Sequence, residues 1–180
     1  MSNLEILKTS IDGVLSIKPK IFGDSRGFFF ESYTKKKYAQ EGIEMEFVQD
    51  NHSKSSKGVL RGLHYQISKP QDKLVRVVQG EVFDVAVDIR KDSPTFGRWE
   101  GFLLNDENMQ QVFVPKGLAH GFCVLSETAE FLYKCSDYYY PEDEGGIIWN
   151  DPDLKIDWPI SIPLLSDKDQ KYPRFRDIFG

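Results

Sequence analysis

Short apolar runs of strand length, separated by Gly, Pro and Asn, recur along this chain with no long helical stripe between them. The pattern predicts extended segments over 15–21 (broken by Pro19), 28–33, 47–51, 58–66, 73–79, 81–89, 99–104, 111–114, 120–125 and 130–136. Asp24-Ser-Arg-Gly27 reads as a turn, and Asn51-His-Ser-Lys-Ser-Ser-Lys-Gly58 as a turn-like loop. Thr34 is placed to cap a short helix over 35–41, with Gly42 closing it in the left-handed region. Gly80 alone separates two strands, which demands a tight hairpin or a sharp bend. Many short strands at close spacing make an antiparallel sandwich or barrel, with jelly roll the leading choice. Beyond residue 136, Pro141, Pro152, Pro159, Pro163 and Pro173 predict a loop-rich segment wrapped around it. The expectation is an all-β protein with a few short helices, and one domain over residues 1–180.

The stretch Gly58-Val-Leu-Arg-Gly-Leu-His-Tyr-Gln66 is where this pattern carries something other than packing. Strict alternation puts His64 on one face and Arg61 on the other. Gly62, between them, permits a bulge that brings both to one side. By contrast, 83–87 and 122–125 read as core without chemistry. Tyr133 shares the parity of Phe131 and Cys135 and therefore points inward, where packing is the commoner use of a tyrosine. Glu31, among the aromatics of 28–33, reads as buried.

Composition narrows the class of function. With 180 residues, 40% hydrophobic, the chain is long enough to bury a core of its own. Its 23 basic and 28 acidic residues give a net charge of -5, against a general nucleic-acid binder but compatible with a local pocket for a small anion. Cys123 and Cys135 lie in strand-like runs without metal-ligand spacing and read as buried, reduced thiols. Neither a signal peptide nor an apolar run of membrane-spanning length is present in the sequence, so the expectation is a soluble cytoplasmic protein.

Gly58 to His64, together with Pro115-Lys-Gly-Leu-Ala-His120, resembles the two motifs of the cupin jelly rolls. Metal-binding cupins carry a second histidine two residues after the first, then a glutamate. Here that position is Gln66, and no glutamate follows before Glu81. Two histidines are too few for a divalent transition metal, so the expectation is a metal-free cavity suited to acid–base work. A histidine side chain can take up and return protons at cellular pH, and His64 in that role gains from a carboxylate that fixes its tautomer. Lys73, opening the next strand, can set a cation where an enolate oxygen develops.

Further stretches carry a closer likeness: Asp24-Ser-Arg-Gly27, Phe47-Val-Gln-Asp-Asn51, Lys73-Leu-Val-Arg76, Gly80-Glu-Val-Phe-Asp-Val-Ala-Val-Asp88, Tyr133-Lys-Cys135, Ile147-Ile-Trp-Asn-Asp-Pro152 and Leu165-Ser-Asp-Lys-Asp169. In order and spacing, with the two histidine motifs, they resemble the dTDP-4-dehydrorhamnose 3,5-epimerases over nearly the whole chain. The resemblance implies a cofactor-free isomerase acting on dTDP-4-dehydro-6-deoxy-D-glucose. It implies His64 as base paired with Asp169, Lys73 as enolate stabiliser and Tyr133 as acid from the opposite face. It also implies a nucleotide-sugar site lined by Arg26, Phe29, Glu31, Gln49, Asn51, Arg61, His120, Glu144 and Lys168. A homodimer is implied, with N-terminal segments carrying Arg26, Phe29 and Glu31 into the partner's site.

Each carried-over residue has a plainer rival reading. Arg26 suits a surface turn, Glu31 an ion pair with a lysine, and Asp169 a solvated charged tail. Should Asp169 not be the partner of His64, Asp84 and Asp88 are next. Two other functions compete with the double epimerase. One is an epimerase acting at carbon 3 or carbon 5 alone, or on a related nucleotide sugar. The other is an inactive cupin that binds a nucleotide sugar.

Overall fold

The computed structural model describes residues 4–180. The strands are β1 (Leu4–Lys8), β2 (Leu15–Pro19), β3 (Phe22–Asp24), β4 (Gly27–Phe29), β5 (Gln49–Ser56), β6 (Leu60–Gln66), β7 (Lys73–Gln79) and β8 (Glu81–Asp88). They continue as β9 (Trp99–Asn105), β10 (Gln111–Val114), β11 (Leu118–Val124), β12 (Thr128–Cys135) and β13 (Glu144–Gly146). Two short helices, α1 (Lys35–Gln40) and α2 (Phe175–Phe179), and one 3-10 turn over Pro141–Asp143 complete the regular structure of the described residues.

β8 shows why the strands stack into layers. Val82 and Ala86 point to one face and Val85 and Val87 to the other, and all four are buried. A strand apolar on both faces must be covered on both. One cover is the opposing sheet: a six-stranded sheet ordered β1-β2-β10-β7-β12-β5 packs on a five-stranded sheet ordered β13-β6-β11-β8-β9. Val75, Val77, Val112, Val114 and Phe131 from the first meet Val82, Ala86, Phe102, Leu104 and Phe122 from the second. The other cover is the C-terminal segment, whose Ile147, Leu154 and Trp158 pack on Leu60, Leu63, Val85 and Val87. The fold is the expected all-β jelly-roll sandwich, with the proline-rich segment wrapped on its outside.

Several local readings change. The stretch 51–58, expected as a turn-like loop, is mostly strand: β5 pairs with β12 along its whole length, Asn51 opposite Tyr133. Its polar sequence suits an edge strand, which needs one partner and tolerates water on its free side. Gly80 makes a bend, not a hairpin, because β7 and β8 belong to different sheets. Its φ is +77°, and a Cβ there would lie 2.1 Å from the Thr128 carbonyl oxygen. β11 begins at Leu118, ahead of His120. Thr34 precedes α1 in an extended conformation, but its hydroxyl donates to Glu31 at 3.4 Å and does not cap the helix. Glu31 itself is exposed and ion-paired with Lys37, because the aromatic segment around it runs along the surface.

The bulge at Gly62 forms. Pairing with β11 shifts between His120–His64 and Phe122–Arg61, so β6 carries one residue more than its neighbour. Leu60 and Leu63 then pack together against the C-terminal wrap. The extra residue puts Arg61 and His64 both on the face of β6 opposite Leu60 and Leu63. A Cβ on Gly62 would come within 2.6 Å of Gly121 Cα, so the close approach of the two strands needs glycine here.

Candidate active site

At one end of the sandwich the two sheets part around a cavity of about 330 Å3. Gln49 and Asn51 of β5, Lys73 of β7 and Tyr133 of β12 line it from the six-stranded sheet. His64 and Gln66 of β6 and Glu144 of β13 face them from the five-stranded sheet. The imidazole and the phenol therefore stand on opposing walls with the ammonium on the phenol's side.

His64 does not stand alone. Its Nε2 lies 2.6 Å from Asp169 Oδ1, and the Asp169 side chain is only 4% exposed. With the carboxylate accepting, Nε2 carries the proton and Nδ1 keeps its lone pair. Asp169 is held by its own backbone N–H, which donates to Ser166 Oγ at 3.1 Å. The Tyr172 ring meets the imidazole edge-on, centroids 5.7 Å apart. Its hydroxyl donates to Glu144 Oε1 at 2.5 Å.

Glu144 ties the C-terminal segment to the cavity wall. Burial pushes its carboxyl up, but hydrogen bonds from Lys168, Tyr172 and Tyr139 outweigh burial and hold it at about 2. Burial also drives the Lys73 ammonium down from its ordinary value, opposed by the nearby Cys135, Asp84 and Glu144. The Tyr133 phenol is pushed up to about 12, chiefly by burial and by its neighbour Cys135. It therefore stays protonated at neutral pH.

His64 also lines a more open groove of about 620 Å3 with Arg61, Lys168 and Asp169. Among the described residues Arg61 hydrogen-bonds through Nε alone, donating to Ser55 Oγ at 3.2 Å, and it lines the groove. Arg61 and Lys168 put cationic groups in one groove beside the base, a charge pattern that suits a diphosphate.

Not every residue expected at the site is gathered there. Arg26 lies on the β3–β4 hairpin, 2.5 Å from Asp24 and 88% exposed; Phe29 is 66% exposed; neither they nor Glu31 line the cavity. His120 is buried behind the cavity, its Nε2 2.8 Å from Asp84 Oδ1. The run 83–87, read as core, is largely buried, and the Asp84 carboxylate is buried with it. A lone acid at an inward position of an apolar strand was the available signal for the His120–Asp84 pair. Asp88, by contrast, is occupied by Arg90, Ser93 and Thr95. Gln66, at the position of a cupin ligand, donates to the Lys69 and Tyr138 carbonyls and accepts from the Tyr140 backbone N–H. Its amide fastens two loops. Tyr139 and Tyr172 escaped notice because they sit in loops with no periodic pattern. Cys123 and Cys135 are buried free thiols, as the strand pattern implied.

Residues 8–177 match the dTDP-4-dehydrorhamnose 3,5-epimerase family model. The chain belongs to this family. Its dTDP-4-dehydrorhamnose 3,5-epimerase relative from Shigella flexneri is 57% identical over 176 residues, covering 97% of each chain. The enzyme of that name from Pseudomonas aeruginosa is 56% identical over the same length, again with 97% of each chain covered. Among solved structures, the dTDP-6-deoxy-D-glucose-3,5-epimerase of Legionella pneumophila, in complex with dTDP-4-keto-L-rhamnose, superimposes with a TM-score of 0.94. It is 55% identical and covers 96% of this chain and 93% of its own. The likeness spans the epimerase fold from its first sheet to the C-terminal wrap that carries Asp169.

Proposed function

We propose that this family member is a cofactor-independent 3,5-epimerase that converts dTDP-4-dehydro-6-deoxy-D-glucose into dTDP-4-dehydro-L-rhamnose. The observation that carries the reading is the His64–Asp169 pair at 2.6 Å on one wall of a cavity whose other wall bears Lys73 and Tyr133. Inverting a carbon requires removing a proton on one face and returning one on the other. The 4-keto group acidifies the protons at both carbon 3 and carbon 5. His64 takes the proton through its free nitrogen while Asp169 stabilises the imidazolium. The electron pair moves onto the keto oxygen, where the Lys73 ammonium lowers the barrier, a contribution on the order of 2–4 kcal/mol. Tyr133 then gives its phenolic proton to the carbon from the opposite face. Exchange with solvent restores both groups for the second carbon.

In this reading the diphosphate lies between Arg61 and Lys168, and Gln49, Asn51, His120 and Glu144 position the sugar and base. Arg26, Phe29 and Glu31 serve the partner's site in a homodimer. Their exposure in one protomer, with Phe28 also 60% exposed, supports that assignment. The chain acts as one domain on a cytoplasmic nucleotide sugar and uses no metal, since Gln66 is committed to loop carbonyls.

The test is turnover of the dTDP-4-keto sugar in deuterated water. Deuterium and inversion at both carbons are expected. Inversion at one carbon only would make the chain a single-carbon epimerase. Tight binding with no deuterium at either carbon would reduce it to a nucleotide-sugar binder and overturn the catalytic reading.

A further inference from the structure

One turn of the C-terminal segment delivers two groups to His64. Within 166–172 the Gln170 N–H donates to the Ser166 carbonyl at 3.2 Å, and the Lys171 N–H to the Lys168 carbonyl at 3.0 Å. Asp169 and Tyr172, three residues apart, both reach the imidazole from this turn. Asp169 fixes one ring nitrogen, but a ring held at one atom can still rock about that bond. The His64 side chain is 28% exposed, so packing does not close on it from every side. The Tyr172 ring flanks it edge-on, with centroids 5.7 Å apart and an interplanar angle of 66°.

The fold leaves a place for that ring. Leu63 and Ile147 exchange both backbone hydrogen bonds, at 3.2 and 3.0 Å. The pair beside them, His64 and Gly146, is therefore of the non-hydrogen-bonded kind, in which side chains stand closest. Gly146 has no side chain to set against the imidazole, and Tyr172 fills the space: a Cβ on Gly146 would lie within 2.5 Å of Cε1, Cζ and Cε2 of Tyr172. An aromatic ring laid over a cross-strand glycine replaces the missing side chain. The ring is also anchored. Its hydroxyl donates to Glu144 Oε1 at 2.5 Å, and the carbonyl of the next residue, Pro173, accepts from the Ile148 N–H at 3.0 Å. Burial and the bond to Glu144 push the phenol above its ordinary value, so it keeps the proton that it donates.

We propose that Tyr172 is a positioning residue for the general base: its ring, seated on Gly146, holds the His64 imidazole in the orientation that keeps Nε2 on Asp169 and turns Nδ1 to the substrate. The inference rests on the epimerase reading above. Tyr172 is not among the residues that line the cavity, and its phenol is committed to Glu144, so it acts through His64. A base works only when its lone pair points at the proton to be removed, and a misplacement of about 1 Å can cost about a hundredfold in rate. Asp169 sets which nitrogen carries the proton. Tyr172 limits where the other one aims.

The test removes the ring with Tyr172→Ala and keeps it with Tyr172→Phe. Both variants lose the hydroxyl bond to Glu144, so a role confined to fastening the segment would weaken both alike. The first readout needs no substrate: the nitrogen chemical shifts of the imidazole in histidine-labelled protein, assigned among the three histidines with His64→Asn. In the wild type and in Tyr172→Phe, one ring nitrogen should read as protonated and the other as bare. In Tyr172→Ala the two shifts should draw together, as the imidazole leaves Asp169 and its tautomers mix. The second readout is turnover. Tyr172→Ala should lose about ten- to a hundredfold in kcat with KM changing less, and Tyr172→Phe should keep most of the wild-type kcat. Wild-type imidazole shifts in folded Tyr172→Ala overturn the proposal, as does a Tyr172→Phe that is as defective as Tyr172→Ala. Should Tyr172→Ala not fold, Gly146→Ala displaces the ring with Tyr172 intact and must draw the two shifts together in the same way; wild-type shifts there would overturn the proposal. Failure of the wild type to turn over the keto sugar would sink the epimerase reading, yet the imidazole shifts would still decide whether Tyr172 orients His64.

Discussion

His64, Asp169 and Tyr133 divide the proposed chemistry among them, and each role has its own signature. If the Asp169 carboxylate works by holding the imidazole, His64→Asn and Asp169→Asn remove one device, not two. Each should cost several orders of magnitude in kcat, with roughly 10⁴ the scale set by the carboxylate of a protease triad. The double variant should be little worse than the poorer single one. Losses that multiply would show that the two act independently. Tyr133→Phe keeps a ring beside Phe131, whose centroid lies 6.0 Å away, and removes only the proton donor. The Tyr133 hydroxyl makes no hydrogen bond among the described residues, so stability should change by less than the ~1–3 kcal/mol of a broken buried bond. Deuterium should still wash into the substrate while inverted product falls sharply. Equal loss of exchange and inversion would count against a dedicated acid.

At the scale of elements, two devices aim these side chains. The bulge in β6 puts Arg61 and His64 on the face opposite Leu60 and Leu63, and the segment 166–172 brings Asp169 to His64 and Lys168 and Tyr172 to Glu144. Glu144 is the fastener of that segment, and its carboxyl is held at about 2 against an ordinary 4.5. A depressed carboxyl stabilises fully above its unfolded value and loses that contribution as pH falls through its folded one. Protection of amides 166–172 from hydrogen exchange should therefore be steady above pH 4.5 and decay as pH falls toward 2. Glu144→Gln should raise their exchange at neutral pH by about tenfold or more, since charge-assisted bonds from Lys168 and Tyr172 weaken together. It should also flatten the acid dependence. An unchanged exchange pattern would mean that the apolar contacts of Leu165 and Phe175, not Glu144, hold the segment.

For the whole molecule, the decisive question is whether one chain makes a complete site. Arg26, Phe29 and Glu31 stand outside their own cavity, with Phe28 and Phe29 held out in solvent on the β3–β4 hairpin. A shared-site dimer makes a quantitative prediction. Arg26→Ala and His64→Asn homodimers should each be poorly active. Mixed by unfolding and refolding at equal amounts, they should recover about one quarter of the wild-type rate, because half of the dimers are mixed and each mixed dimer has one intact site. No recovery in a mixture shown to exchange subunits would place Arg26 outside the partner's site.

Local chemistry made much of this protein legible. Strand-length apolar runs, the helix at 35–41 closed by Gly42, the glycine that permits the β6 bulge and the inward parity of Tyr133 are properties of neighbours along the chain, and each could be read there. The ordered motifs likewise pointed to the epimerase family without a structure. Tertiary structure decided what depends on distant partners. The polar stretch 51–58 became a strand because β12 offered it a full-length edge. Gly80 became a bend because β7 and β8 enter different sheets. Glu31 proved exposed because its aromatic neighbours run along the surface. Asp169 lies 105 residues from His64, and Asp84 36 from His120. No periodicity of strand or helix reaches that far. Which acids meet which bases is settled only when the sheets close and burial leaves each charge to find its partner.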